Sequence, residues 1–186
     1  DSKDFMESSS SLMFAFLLAI ILIFLVLSAQ FESFKDPVTV MMTVPLALTG
    51  ALIFMWYFGI TMNIFSQIGI IMLIGLVSKN GILIVEFANQ RKEAGMNKAE
   101  AIRYASAARF RPILMTSLST ILGILPLALG LGEGAQSRVA MGIAVVGGLV
   151  LSTFLTLYVV PAIYLYISSE SKNLKEHPVT EPLNHE

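Results

Sequence analysis

The chain has 186 residues, of which 55% are hydrophobic and only 13% are charged, and its formal net charge is −1. An average globular protein is about 45–50% apolar and about 25% charged, so this composition excludes an ordinary water-soluble domain, and the near-neutral charge gives no electrostatic footprint for nucleic acid. The chain has no cysteine, which excludes a disulfide, a zinc–thiolate site and a cysteine nucleophile.

The sequence predicts an all-α, polytopic membrane helix bundle. Its apolar residues cluster into long blocks, and about 20 such residues cross a bilayer core about 30 Å thick. Five blocks predict five transmembrane helices, at about residues 12–30, 38–58, 64–89, 112–131 and 139–167. Residues 1–11 lack the basic start of a signal peptide, so we expect the end of a loop that precedes the first span in a longer protein. Residues 168–186 form a polar tail, which holds His177 and His185.

The segment between the third and fourth spans, NQRKEAGMNKAEAIRYASAARFR, is too charged to cross a membrane. Asn97, followed three residues later by Glu100, resembles a capping arrangement, and a modest apolar stripe follows. We predict a short interfacial helix at about residues 97–109 on the cytoplasmic surface. The alternative is a plain amphipathic linker without function.

The basic residues predict the orientation of the chain. Most of the 12 Lys and Arg side chains follow the first, third and fifth spans, and such residues collect on the cytoplasmic side of a membrane. These are Lys35, Arg91, Lys92, Lys98, Arg103, Arg109, Arg111, Lys172 and Lys175. Only Lys3 and Arg138 lie on the other side. We therefore expect residues 1–11 in the periplasm and the tail, residues 168–186, in the cytoplasm.

Lys79 lies inside the third span, in the stretch LVSKNGILIVEF. A charged lysine at the bilayer centre costs at least about 2.5–3.5 kcal/mol on insertion scales, so we expect either loss of its proton or a carboxylate partner. Glu86 lies on the same helix face but about 10 Å away along the axis, too far for a direct pair. The remaining acids near the spans are expected in loops: Glu32, Asp36 and Glu133. The counter-charge should therefore come from helices outside this sequence, unless the lysine serves assembly alone.

Other polar residues inside the spans have two open interpretations, helix packing or a proton path. Asn80 can bond to a neighbouring helix or tune the lysine beside it, and Glu86 is expected at the mouth of a path. Thr116, Ser119 and Thr120 share one helix face, where hydroxyls bond to neighbouring helices or the backbone, or order water. No Walker motif, GxGxxG pattern, catalytic triad or zinc ligand cluster is present, so we expect neither an enzyme nor a bound cofactor or metal.

Five stretches carry a resemblance to a known family. They are QFESFKDP, VPLALTGA, NIFSQIGIIMLIGLVSKNGILIVEFANQ, ARFRPILMTSLSTILGILPLALG and GIAVVGGLVLSTFLTLYVVPAIYL. Together they closely resemble the C-terminal membrane segment of resistance–nodulation–division (RND) pumps, in the hydrophobe/amphiphile efflux branch of AcrB-type drug exporters. The resemblance runs from about Phe5 to Ile167 and implies spans eight to twelve of twelve, half of an RND transmembrane domain.

The resemblance implies a proton relay. The family's tenth-span lysine falls on Lys79, and in the family it pairs with two aspartates of the fourth span, which this sequence lacks. The family's eleventh-span threonine falls on Thr116 and its relay arginine on Arg109. We add Asn80 to this candidate relay and place Glu86 at the path mouth. The implied activity is secondary active, proton-driven efflux of drugs or other amphiphiles across a bacterial inner membrane, not an enzymatic reaction.

The resemblance also implies partners: the missing N-terminal half with its acidic pair, a homotrimeric assembly, a periplasmic adaptor, an outer-membrane channel and the lipid membrane. No nucleic acid is expected. Two alternatives remain, a membrane scaffold subunit without transport and an RND transporter of another cargo, such as a metal ion or an exported protein. The 10 methionines scatter without a common face, which disfavours metal export.

Overall fold

The computed structural model describes residues 2–167 and contains helices and no strand over that range. The elements are α1 (Ser2–Phe31), α2 (Lys35–Met41), α3 (Thr43–Tyr57), α4 (Ile64–Glu93), α5 (Lys98–Ala128), a 3₁₀ turn (Ala135–Arg138) and α6 (Val139–Ile167). Five segments are long and apolar enough to cross a membrane: Met6–Phe31, Lys35–Tyr57, Ile64–Glu93, Lys98–Ala128 and Ala135–Ile167. The predicted all-α bundle of five spans is confirmed. The predicted tail, residues 168–186 with both histidines, lies outside the described residues.

The first helix starts earlier than the sequence analysis predicts. Residues 2–11 belong to α1 rather than to a loop. No glycine or proline occurs between Ser2 and Phe31, so nothing in this stretch interrupts a helix once it has begun.

The segment predicted as a separate interfacial helix, residues 97–109, is the first part of α5, which continues without a break to Ala128. The alanine-rich stretch that starts this helix has high helix propensity. Pro112, where the fourth span was expected to begin, lies inside the helix, because membrane helices tolerate a proline whose freed backbone groups find other partners. The predicted break between a separate interfacial helix and the fourth span is therefore absent, whereas the position at which α5 enters the membrane stays a prediction.

The second span consists of two helices, α2 and α3, which meet at Met42. It starts three residues before the predicted residue 38, so Asp36 lies in the first turn of α2 and is buried. The expectation that Asp36 lies in a loop is wrong, because the apparent turn FKDP is already the beginning of a helix.

The chain crosses back and forth, so one end of the bundle collects the starts of α2 and α5 and the ends of α1, α4 and α6. Lys35, Arg91, Lys92 and Lys98 lie at this end, which we call the basic end. At the opposite end, α3 finishes with exposed Trp56. Aromatic side chains in such positions are typical of the membrane–water interface.

Helix α6 is the centre of the bundle and contacts α2, α3, α4 and α5. Its glycines make this possible, because a Cβ atom at Gly147 would collide with Phe54 of α3, and one at Gly148 would collide with Leu73 of α4. Small residues of this kind let helices approach closely inside a membrane. The helix that carries Lys79 is thereby held directly against α6.

Helix α1 lies at the edge of the bundle. Among the described residues, its backbone comes close only to α2 and α4, although Phe16 packs against the cluster that α3, α4 and α6 form. Only Leu27 of its described side chains is buried. Its apolar side chains are otherwise half-buried or exposed, and apolar surface of this extent marks contact with lipid or with other protein.

Candidate functional site

Lys79 lies near the middle of α4 and is exposed on the surface of the bundle. It makes no hydrogen bond and no ion pair with any side chain that the structure describes. Glu86, seven residues further along the same helix, is half-buried and likewise forms no ion pair with the described residues. The lysine is therefore a cation at mid-span without a counter-charge in the described part of the chain.

A small cleft of about 50 Å³ opens beside this lysine, between α4, α5 and α6. Its lining residues are Leu76, Lys79, Asn80, Thr116, Ser117, Thr120 and Leu149. The structure thus brings together four polar residues predicted from sequence, from two helices: Lys79, Asn80, Thr116 and Thr120. Ser119, which the helical spacing grouped with Thr116, does not line the cleft.

Lys79 also borders a second groove, between α1 and α4, with a volume of about 310 Å³. Gln30 and Ser78 are its other polar lining residues, and the Ser78 hydroxyl is buried without a hydrogen-bond partner among the described residues. The lysine is therefore accessible from two sides of α4.

Behind the cleft, three buried polar side chains connect three helices. Asn80 Nδ2 of α4 donates to Ser117 Oγ of α5 at 3.4 Å, and Thr153 Oγ1 of α6 donates to the same oxygen at 3.0 Å. Each of the three is at most 6% exposed. Ser117 and Thr153 escaped the sequence analysis, because the spacing of the neighbouring hydroxyls pointed to a different face of α5.

The hydroxyl of Thr116 bonds within its own helix. Its Oγ1 donates to the backbone oxygens of Pro112 and Ile113, each at 3.1 Å. Because a hydroxyl has two acceptor lone pairs in addition to its proton, Thr116 can still accept a hydrogen bond in the cleft. Thr120 donates to the Thr116 carbonyl at 2.8 Å, which continues the same pattern one turn further.

Arg109 lies apart from the cleft, seven residues before Thr116 and towards the basic end. Its guanidinium carbon is 4.9 Å from the centre of the Phe87 ring, and its Nε is buried without a hydrogen-bond partner among the described residues. Phe87 stacks on Tyr104, and Arg91 lies over both rings at 5.1 and 4.5 Å. The structure therefore places Arg109 in a cation–π cluster, about 10 Å along the helix axis from Thr116.

A second polar cluster, at the basic end, was not predicted from sequence. Asn89 Nδ2 donates to Asp36 Oδ2 at 2.8 Å, and Tyr164 Oη donates to Asn89 Oδ1 at 2.6 Å. These contacts connect α2, α4 and α6 around one buried carboxylate. No group of three or more His, Cys, Asp or Glu side chains in residues 2–167 is arranged to hold a metal ion.

Comparison with known proteins identifies close relatives. The model of the AcrB/AcrD/AcrF family matches residues 1–168. An uncharacterized transporter of Haemophilus influenzae is 42% identical over 181 residues, which cover 94% of this chain and 18% of that protein. The multidrug resistance protein MdtC of Erwinia tasmaniensis is 44% identical over 178 residues, 95% of this chain and 17% of that protein. MdtC of Edwardsiella ictaluri is 41% identical over 180 residues, with coverage of 96% and 18%. The chain spans less than a fifth of the length of these curated relatives.

Proposed function

Because this chain belongs to the AcrB/AcrD/AcrF family, we propose that it is the C-terminal membrane segment of a proton-driven RND efflux pump. The pump exports drugs or other amphiphiles, and this segment contributes the lysine and threonine side of its proton relay. The relatives named multidrug resistance proteins support the class of cargo. Seven further spans and the periplasmic loops of such a pump are supplied by sequence outside this chain.

One observation carries the proposal: the exposed ammonium group of Lys79 at the middle of an apolar helix. A lysine in this position is expensive in hydrocarbon and needs anions on a facing helix. In the family that this chain resembles, two fourth-span aspartates fill that position. Such a helix would dock on the exposed side of Lys79, next to the cleft that this lysine shares with Asn80 and Thr116.

The chemistry of proton coupling follows from these groups. Two opposite unit charges about 4 Å apart attract by on the order of 4 kcal/mol at an effective dielectric constant of about 20. When a facing carboxylate binds a proton, this attraction is lost and the ammonium group of Lys79 must find other acceptors. Thr116 Oγ1 and Asn80 Oδ1 are candidates in the same cleft, since each keeps acceptor capacity. Protonation thus moves Lys79 between two sets of partners and shifts α4.

Arg109 and Glu86 take secondary places in this proposal. Arg109 lies on α5 between Thr116 and the basic end. In this proposal, protons pass it as they leave towards the cytoplasm. Glu86 lies between Lys79 and the basic end on α4, which suits a path mouth more than a central carrier.

The proposed pump is a homotrimer in the bacterial inner membrane, with a periplasmic adaptor and an outer-membrane channel as partners and no nucleic acid. The N-terminus is periplasmic and the C-terminus cytoplasmic, because the basic end carries most of the described Lys and Arg side chains. The absence of cysteine gives a clean test. In intact cells, a membrane-impermeant maleimide should label a cysteine at Trp56 and leave one at Lys98 unlabelled. The reverse pattern would overturn the orientation.

The decisive experiment measures proton-dependent dye efflux by the full-length transporter. Lys79→Ala should abolish efflux with membrane expression intact, and the matched control Lys98→Ala at the basic end should leave it unchanged. Normal efflux in the Lys79→Ala variant would overturn the proposal and favour a scaffold subunit, in which the lysine serves assembly. If the transporter exports metal ions instead, the same cells should show efflux of a metal ion and no efflux of the dye.

A further inference from the structure

Ser117 is the residue on which the polar side chains of α4, α5 and α6 converge. It is 5% exposed, yet it borders the cleft beside Lys79. Its Oγ accepts one hydrogen bond from Asn80 and one from Thr153. A serine hydroxyl has two acceptor lone pairs and one proton, so both lone pairs are in use and the proton is still to be donated.

The hydroxyl proton of Ser117 can point into the cleft. No described residue accepts a hydrogen bond from Ser117, and Ser117 is one of the residues that line the cleft. A buried polar group that stays unpaired costs about 1–3 kcal/mol. The cleft, at about 50 Å³, exceeds the roughly 10–15 Å³ that one water molecule needs.

The cleft also offers the partners that a bound water requires, which number about three. Ser117 and the Lys79 ammonium group can donate to the water, and the free lone pair of Thr116 Oγ1 can accept from it. Asn80 Oδ1 is a further acceptor, because Asn80 uses its Nδ2 for Ser117.

We propose that Ser117 binds an ordered water molecule in this cleft and, through it, positions Lys79 when the facing carboxylates are protonated. This inference rests on the proposed function and adds a residue to it. The water is one acceptor, beside Thr116 Oγ1 and Asn80 Oδ1, for the ammonium group after it leaves its carboxylate partner. Ser117 is a positioning residue, since it acts on Lys79 through the water.

The proposal predicts the direction of a pH effect. A water held by Ser117 stabilises the state in which the carboxylates carry protons and Lys79 has moved away. Loss of the hydroxyl destabilises that state, so the carboxylates bind protons less readily. Transport by the Ser117→Ala variant should then need a more acidic periplasm, with its half-maximal pH about 0.4–1 unit lower, the shift that one hydrogen bond would give.

The experiment measures dye efflux against external pH for the full-length transporter. Ser117→Ala and the nearly isosteric Ser117→Cys should both shift the profile to lower pH, and Ser117→Thr, which keeps a hydroxyl, should restore it. Ser119→Ala is the matched control, because this serine lies on the same helix, is exposed and does not line the cleft. It should leave the profile unchanged.

A purely structural role for Ser117 gives a different result. Thr153→Val removes a donor to Ser117 but keeps the Ser117 hydroxyl and the water, so it should reduce stability without moving the pH profile. If Ser117→Ala and Ser117→Cys lower expression or thermal stability in the same way and leave the profile in place, the inference is wrong. The proposed function fails separately, if Lys79→Ala pumps normally.

Discussion

At the basic end of the bundle, the carboxylate of Asp36 accepts a hydrogen bond from Asn89, and Asn89 accepts one from Tyr164. Near the middle of α4, the ammonium group of Lys79 has no such partner among the described side chains. Both groups are ionisable and both lie within helices of the membrane bundle. Asp36 finds its hydrogen-bond donor within the described chain, whereas Lys79 lies on the surface of the bundle without an acceptor there.

This difference separates a structural charge from a functional one. A buried polar group that is paired inside the chain holds helices together whether or not a partner protein is present. An open charge in hydrocarbon lowers stability by itself and is useful only when another element supplies its counterpart. Substitutions in the 186-residue chain, in a lipid bilayer or a detergent micelle, can test this difference.

The largest effect is expected for Lys79→Leu. Replacement of the open charge by leucine should make membrane insertion of the third span more favourable by about 3–4 kcal/mol, because the lysine opposes insertion and leucine favours it. A translocon insertion assay with graded apolar segments measures this free energy. An unchanged insertion free energy would mean that the lysine is already satisfied within the chain. The same substitution should abolish transport in the full-length pump.

Asp36→Ala should destabilise the chain, whereas Lys79→Leu should favour its insertion. Asp36→Ala leaves the half-buried amide of Asn89 without its acceptor, so the free energy of unfolding should fall by about 1–2 kcal/mol, the lower part of the range for a buried group. Asp36→Asn, whose side-chain oxygen can still accept from Asn89, should recover part of the loss. Reversible unfolding of the chain in mixed micelles measures both values. If Asp36→Ala were neutral, the cluster at the basic end would not hold α2 to α4.

A smaller loss is expected for Tyr164→Phe. The ring stays in place and only the hydroxyl that donates to Asn89 is removed, so the free energy of unfolding should fall by about 0.5–1.5 kcal/mol. A double-mutant cycle with Asp36→Asn tests whether the two contacts are coupled through Asn89. Strictly additive losses would show that they act independently.

The smallest effect is expected for Ser119→Ala. This side chain is exposed on α5 and has no hydrogen bond among the described residues, so the change should stay within about ±0.5 kcal/mol. Ser117→Ala, two residues away and buried, should cost clearly more in the same unfolding experiment. Equal costs would remove the distinction between the two faces of α5.

The five spans could be predicted because a membrane imposes a length and a composition on each helix. The start of α1 was less predictable because no glycine or proline marks it. Pro112 had the opposite effect, since it suggested a helix boundary inside the continuous helix α5. Asp36 was misplaced because the residues around it are typical of a turn. Its burial depends on Asn89, 53 residues further along the chain.

Only part of the candidate site was predictable from the sequence. Lys79 is visible in the sequence because a charge inside an apolar block is rare, and the resemblance pointed to Thr116. Ser117 and Thr153 lie 36 residues apart in spans that hold other hydroxyls. Their pairing depends on how α5 and α6 are rotated against each other, which depends on tertiary packing rather than on spacing along one helix.

The glycine pair of α6 has a mechanical consequence. Phe54 of α3 packs against Gly147 of α6, and Leu73 of α4 packs against Gly148. Because these side chains fill the space beside the two glycines, α3 and α4 cannot slide along α6 independently. A force on Lys79 would therefore displace these three helices as one block. Helix α1 contacts α4 of this block directly and also contacts the adjoining α2, so it would follow the displacement of α4.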